Sequence, residues 1–242
     1  MNRIDVAFTP DEAERAPLEG RQLVVVDVLR TCTSIAVALR NGAAKVIPVE
    51  TVEEAKRLAE TLDPKSRLLC GEREGKKMGG FDLGNSPSEY ARERVEGATL
   101  VFASTNASPL MAGPLNGREQ RLLSYVNLSA VADAVRRDGQ DVTILCAGRK
   151  GAFALDDAAC AGALVRRLAD LDLSLQLNDA AEVARAYDRA HGHDPDAILR
   201  RSAHGRYLVE LGFGEDLAVC AAVDRVPVVP FLKDGRITAQ SM

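Results

Sequence analysis

Much that would announce a function is missing from these 242 residues. No apolar run approaches the ~20 residues that cross a membrane. The opening MNRIDVAFTPDEAERA has no apolar core of the kind a secretory signal carries. No lysine/arginine block occurs and the net charge is -4, so neither a nucleic-acid nor a membrane partner is expected. Five cysteines, Cys32, Cys70, Cys146, Cys160 and Cys220, are odd in number and contain no C-x-x-C pair. That argues against a zinc site and against a disulfide framework; reduced cysteines in a cytoplasmic protein are the expectation.

Familiar phosphate and nucleotide signatures are absent too. There is no G-x-G-x-x-G to support a dinucleotide. Asp27-Val28-Leu29 lacks the second aspartate of the D-x-D phosphatases. Gly71-Glu72-Arg73-Glu74-Gly75-Lys76-Lys77 is one spacer short of a P-loop and lacks its hydroxyl. The histidines, His191, His193 and His204, fall late in a helical stretch and read as surface residues, so histidine-based phosphoryl transfer is a poor fit. No Gly/Ser or Pro-rich linker divides the chain, and one α/β domain over residues 1–242 is expected.

What is present is an ordinary globular composition, 46% hydrophobic and 27% charged. Apolar, β-branched runs predict strands at 23–28, 44–49, 68–70, 99–103, 121–126, 142–146 and 226–231. Helical patterns run from Ile35, after the polar segment 30–34, to the Asn41-Gly42 stop, from the Thr51/Glu54 capping box to 62, from Pro87, over 129–137, 155–171, and most of 178–223. Strands alternating with helices argue for a mainly parallel or mixed sheet covered on both faces. The strand–polar loop–helix unit recurs near Asp27, Ser104 and Cys146, which allows a reading as two related lobes. Pro227 and Pro230 put the last strand at a sheet edge.

The stretch 68–90, LLCGEREGKKMGGFDLGNSPSEY, holds a long polar connection between a strand and a helix capped by Ser86, Pro87 and Glu89. A connection of that length in an α/β chain reads as a working loop. Ligands of such sheets bind at strand carboxyl ends. Four clusters fall there: Asp27 with Arg30–Ser34, Glu72-Arg73, Ser104-Thr105-Asn106, and Gly148-Arg149-Lys150-Gly151 leading to Asp156-Asp157. Hydroxyls and helix-start N–H groups suit an anion, arginine forks suit phosphate or sulfonate, and carboxylates suit Mg²⁺. Plainer readings stand beside these: Asp27 as a helix cap, Asp156 and Asp157 as first-turn charges, Asn106 as a turn residue.

Taken in order, Asp27-Val28-Leu29-Arg30, Gly71-Glu72-Arg73, Gly80-Phe81-Asp82-Leu83-Gly84-Asn85-Ser86-Pro87, Thr105-Asn106, Cys146-Ala147-Gly148, Asp156-Asp157 and Cys160-Ala161-Gly162 resemble the 2-phosphosulfolactate phosphatase family. The resemblance runs over nearly the whole chain, through Asp216, Cys220 and Val228-Val229-Pro230. It implies an α/β/α sandwich and a Mg²⁺-dependent acid phosphatase that turns 2-phosphosulfolactate into sulfolactate and phosphate, a step of coenzyme M synthesis. Two departures are Ala107-Ser108-Pro109 after Asn106, where the family more usually has a Gly-Thr pair, and Cys32 in place of a hydroxyl or small residue.

On this reading Asp27, Glu72, Asp82 and Asp157 are the candidate metal ligands, and Asp27, Arg30, Glu72, Arg73 and Asn106 the catalytic set. Thr33, Ser34, Asn85, Ser86, Ser104, Thr105 and Arg149 are the substrate-binding candidates. Lys76, Lys77, Arg149 or Lys150 would meet the carboxylate or sulfonate end. Asp27 as a phosphorylated nucleophile is an open variant. A non-catalytic binder or sensor of small phosphorylated or sulfonated acids is the alternative function. The expected partner is a small phosphorylated acid, and many α/β enzymes of this size are homodimers.

Overall fold

In the computed structural model, which describes residues 1–113, 115, 117–170 and 174–240, the uninterrupted apolar runs become buried strands. The strands are Arg3–Ala7 (β1), Gln22–Val26 (β2), Lys45–Val49 (β3), Arg67–Arg73 (β4), Lys76–Lys77 (β5), Thr99–Ala103 (β6), Gln120–Leu123 (β7), Val142–Cys146 (β8), Gln176–Leu177 (β9), Pro230–Lys233 (β10) and Arg236–Ala239 (β11). The helices are Pro10–Arg15 (α1), Thr31–Arg40 (α2), Val52–Glu60 (α3), Arg92–Val95 (α4), Ala107–Ala112 (α5), Leu128–Asp138 (α6), Leu155–Ala169 (α7), Asp179–His191 (α8), Pro195–Arg201 (α9), Ala203–Glu210 (α10) and Gly214–Ala221 (α11). Leu171, the expected end of the helix at 155, lies outside the described residues. No described helix is long and apolar enough to cross a membrane.

The sheet runs β5-β4-β6-β3-β11-β10-β7-β2-β8-β1-β9. It holds two parallel blocks, β4-β6-β3 and β7-β2-β8-β1-β9, joined by the antiparallel hairpin β10–β11. Following the antiparallel pairs from β3 through the hairpin to β7, the two blocks point in opposite senses. A flat sheet would therefore put their carboxyl ends at opposite edges. Instead both blocks bury residues in one shared cluster, with Leu23 and Val25 of β2, Leu100 and Phe102 of β6, and Ile35 of α2 together. The two blocks therefore share one buried layer.

The period of two in β-strands then assigns the layers. Val24 and Val26 of β2 face α6 and α7, while Leu23 and Val25 face the shared layer. On the other block, Leu69 and Val101 face α3, and Cys70 and Phe102 the shared layer. Helices thus cover both faces of a mixed, mainly parallel sheet, the α/β/α arrangement expected. The five cysteines are free and buried within these layers.

Three expectations change. The closing strand is central, not at an edge: β10 lies between β7 and β11. Pro230 is tolerated there because it is the first residue of the strand and pairs only with Ala239, while β7 pairs from Phe231 onward. The helix expected from Pro87 is one 3₁₀ turn, Pro87–Glu89, although its capping box is present. The long loop after residue 70 is largely built structure: β4 continues to Arg73 and turns through Glu74 and Gly75, φ 52° and 78°, into β5. Positive φ at both turn residues is the type I′ hairpin geometry, which Gly75 serves.

Candidate active site

A narrow cleft opens where the loops after β2, β4, β6 and β8 meet α10. Both blocks contribute, so the strand ends converge as expected, although the two blocks do not share a strand direction. Asp27, Arg30, Glu72, Asn85, Thr105, Asn106, Arg149 and Lys150 all line it.

Asp27 follows directly on β2 and is 3% exposed. Its Oδ1 accepts from the Thr31 N–H at 3.1 Å and its carbonyl from the Cys32 N–H at 3.0 Å, so it does cap α2. It makes no ion pair among the described residues, and the cap leaves it on the cleft wall. Burial pushes its carboxyl up to about 6, against the pull of His204 and of hydrogen bonds from Thr31. Asn85 Nδ2 donates to Thr31 Oγ1 at 3.3 Å, which ties the second cleft wall to that cap.

Arg30 is 2% exposed and held on three sides. Its Nη1 donates to Asp216 Oδ2 at 2.6 Å, its Nη2 to the Gly75 carbonyl at 2.6 Å, and its guanidinium lies 4.4 Å from the Phe213 ring centroid. Ser86 Oγ donates to the other Asp216 oxygen at 2.6 Å, so it supports Arg30 instead of lining the cleft. Glu72 is placed by Gly71, where a Cβ would come within 1.7 Å of the Ala103 carbonyl oxygen at φ 133°. The two Glu72 oxygens accept from the Gly75 and Thr105 N–H groups, each at 2.7 Å.

Several expected residues do not reach the cleft. Arg73 follows Glu72 in a strand, so it points to the opposite side and donates to the Glu50 carbonyl at 3.1 Å. Asp82 accepts from the Leu69 N–H within β4 at 2.8 Å and is exposed. Asp157 accepts from the Val28 N–H at 2.9 Å and the Gly148 N–H at 3.0 Å, stitching the β2 and β8 loops together. Burial and the like charges of Asp156 and Asp27 hold its carboxyl well above the usual range. Thr33 donates to the Val28 carbonyl, Ser34 to the Asn85 carbonyl, and Ser104 bonds Ser108 of α5. Lys76 and Lys77 are exposed on β5.

The four carboxylates taken as a metal set therefore do not assemble. Among the described residues, no group of three or more His, Cys, Asp or Glu side chains is placed to hold a metal ion. Only Asp27 and Glu72 of the four line the cleft.

Sequence reading missed His204, Tyr207 and Glu74, all in the lining. His204 is no surface residue: its ring is 12% exposed, and Nδ1 lies 3.6 Å from Asp156 Oδ2. The one available signal was Ser202, an N-cap whose hydroxyl accepts from the Gly205 N–H and so puts His204 in a first helical turn. Nothing in the sequence pairs that turn with Asp156. Tyr207 lies under the Arg149 guanidinium at 4.5 Å and donates to the Glu74 carbonyl at 3.0 Å, leaning α10 on the β4–β5 hairpin. Unpartnered buried oxygens remain at the site: Asn85 Oδ1, Thr105 Oγ1 and, behind His204, Asp156 Oδ1. Native structures pair nearly all such atoms, so these mark where a ligand completes the cleft.

Carboxylates, guanidinium and ammonium groups and unpartnered oxygens gather at the ends of α/β strands, and the family to which the chain belongs makes this the site of a phosphomonoester hydrolase. The family model described as 2-phosphosulpholactate phosphatase matches residues 7–235, and the chain belongs to that family. It is 39% identical over 233 residues to a protein of Thermotoga petrophila, covering 96% of each chain. It is 39% identical over 241 residues to one of Carboxydothermus hydrogenoformans, covering 99% of this chain and 98% of the relative. With one of Clostridium acetobutylicum the identity is 34% over 235 residues, 97% and 99% of the two chains. Each relative is named "Probable 2-phosphosulfolactate phosphatase".

Proposed function

We propose that the chain hydrolyses the phosphate monoester of a small sulfonated or carboxylated 2-hydroxy acid, 2-phosphosulfolactate first among them, with Mg²⁺. The observation that carries this is the charge balance of the cleft. Its lining holds three carboxylates, Asp27, Glu72 and Glu74, against three fixed cations, Arg30, Arg149 and Lys150, alongside His204. One of those cations is already matched by Asp216. Side chains alone therefore offer a phosphate dianion no net attraction, and a divalent cation makes up the difference.

The donor set fits such an ion. Magnesium takes one or two carboxylates and keeps waters and phosphate oxygens as its other ligands. Asp27 would hold it, with Glu72 beside it and the Asn85 Oδ1 and Thr105 Oγ1 oxygens near. When bound, the ion neutralises phosphate charge and lowers the pKa of a coordinated water. Arg149 and Lys150 then grip the acid end of the substrate, and the Thr105 hydroxyl meets a phosphoryl oxygen. Arg30, fixed by Asp216 and Gly75, presents its remaining N–H groups without reorganising.

The test is phosphate release from 2-phosphosulfolactate by the purified protein, with Mg²⁺ and after chelation. Release that chelation stops and Mg²⁺ restores is expected. Release that survives chelation removes the metal from the mechanism. Thermal stabilisation by the ester with no release makes the protein a binder. Oxygen-18 from water entering phosphate, with no phosphoenzyme trapped by acid quench, is expected for direct water attack; a trapped phosphoenzyme favours Asp27 as nucleophile, and its loss in Asp27→Asn assigns it.

A further inference from the structure

We propose that His204 is the proton donor to the leaving oxygen of the ester, with Asp156 as its positioning residue; this rests on the phosphomonoester reading above. Asp156 begins α7 beside Asp157, yet the two differ entirely in their partners. Asp157 satisfies both oxygens with backbone N–H groups. Asp156, 1% exposed, has an unpartnered Oδ1, and the one basic group within 4 Å of its carboxyl, among the described residues, is the His204 imidazole. A buried carboxylate is costly unless something answers its charge. Here that something is a ring that lines the cleft.

The mount of that ring is rigid. Ser202 caps α10 through the Gly205 N–H at 2.8 Å. Gly205 sits so close to α9 that a Cβ would lie 1.8 Å from the Leu199 carbonyl oxygen. With Nδ1 turned to Asp156, Nε2 is left for the cleft, and it has no hydrogen-bond partner among the described residues. The charged groups facing the ring are Asp156 of α7, Asp27 and Arg30 of the β2–α2 loop, Arg149 and Lys150 after β8, and Glu72 and Glu74 of the hairpin.

Chemistry demands a donor at this place, because a secondary alkoxide is a poor leaving group. In the step, water oxygen forms the new P–O bond and the ester P–O bond breaks. The bonding pair stays on the ester oxygen, which takes the Nε2 proton and leaves as the alcohol. One water proton stays on phosphate; the other goes to solvent, from which His204 regains its own.

The experiment compares two esters, 2-phosphosulfolactate and 4-nitrophenyl phosphate, whose phenolate leaves without a proton. His204→Ala should lower kcat on the alkyl ester by about 10²–10⁴-fold, and on the aryl ester by less than about tenfold. Added imidazole should restore part of the alkyl-ester rate. Asp156→Asn should lose about tenfold on the alkyl ester alone, and it carries the same comparison if His204→Ala fails to fold. Equal losses on both esters, or no loss on the alkyl ester, overturn the role of His204 while the phosphatase reading stands. Wild-type protein that splits neither ester overturns both. If it splits only the alkyl ester, absence of imidazole rescue is the result that refutes the proposal.

Discussion

The two walls of the cleft treat their acids differently. On the wall built from the β2–β8 block, Asp27 is buried with no ion pair among the described residues, and its carboxyl is pushed up to about 6. On the wall built from the β4–β6 block, Glu72 is also buried, yet both its oxygens are taken by backbone N–H groups. Burial is common to both; what differs is whether the fold answers the charge. An answered carboxylate holds loops together. An unanswered one destabilises the fold, and a protein keeps it where a ligand supplies what is missing.

The largest effect should come from Asp27→Asn. Turnover should fall by about 10³-fold or more, since the amide cannot hold the cation. Stability should move the other way. The folded-state pKa of Asp27, about 6, lies above the 3.8 of an ordinary aspartate. Its contribution is then full below about pH 4 and is lost as pH rises through about 6. In metal-free protein at pH 8, Asp27→Asn should therefore be more stable than wild type by about 2–3 kcal/mol, with little difference at pH 4. Urea unfolding at the two pH values checks this. A variant that is less stable at pH 8 breaks the comparison.

Asp157→Ala sharpens it, because this acid shares a block with Asp27 but is tied like Glu72. Two buried N–H groups, of Val28 and Gly148, would lose their acceptor. The expected loss is about 3 kcal/mol of unfolding free energy, read from urea midpoints at about pH 4, where the raised Asp157 carboxyl keeps its full contribution. A loss below about 1 kcal/mol would show that water can replace the carboxylate and that the stitch is not structural. Glu72→Gln should cost less, about 1–2 kcal/mol, since one oxygen survives and only one N–H is left facing an amide. Its kcat should fall far less than that of Asp27→Asn. Equal losses would mean that Glu72 acts chemically despite its ties.

How far the sequence foretold this depends on what each residue touches. β2, β6 and β8 were legible because strands buried on both faces read as continuous apolar runs. β1 and β11 were not, since RIDVA and RITA are short and mixed. Arg73 was misplaced because β4 was ended at Cys70; continued to Arg73, its alternation puts Glu72 and Arg73 on opposite sides. Asp82 and Asp157 looked like ligands because a sequence shows a carboxylate and hides the N–H group that occupies it. His204 needed a tertiary fact, the approach of α10 to the start of α7. The opposed blocks rest on the placement of β10 in mid-sheet, which the prolines argued against.

The smallest effect separates wall from valence. Thr105 stands on the Glu72 wall, and its N–H is what Glu72 binds, but its hydroxyl is buried without a partner. Thr105→Val keeps the shape and the backbone bond and removes only the hydroxyl. If unanswered groups belong to the ligand whichever wall they stand on, the variant should be no less stable, and up to about 1 kcal/mol more so. Its KM should rise about tenfold, the worth of one hydrogen bond to a charged oxygen. If it loses stability and keeps its KM, the hydroxyl serves the fold and the rule fails on that wall. If both predictions hold, Thr105 sorts with Asp27 and Glu72 with Asp157, and the division runs between answered and unanswered groups, cutting across the two blocks.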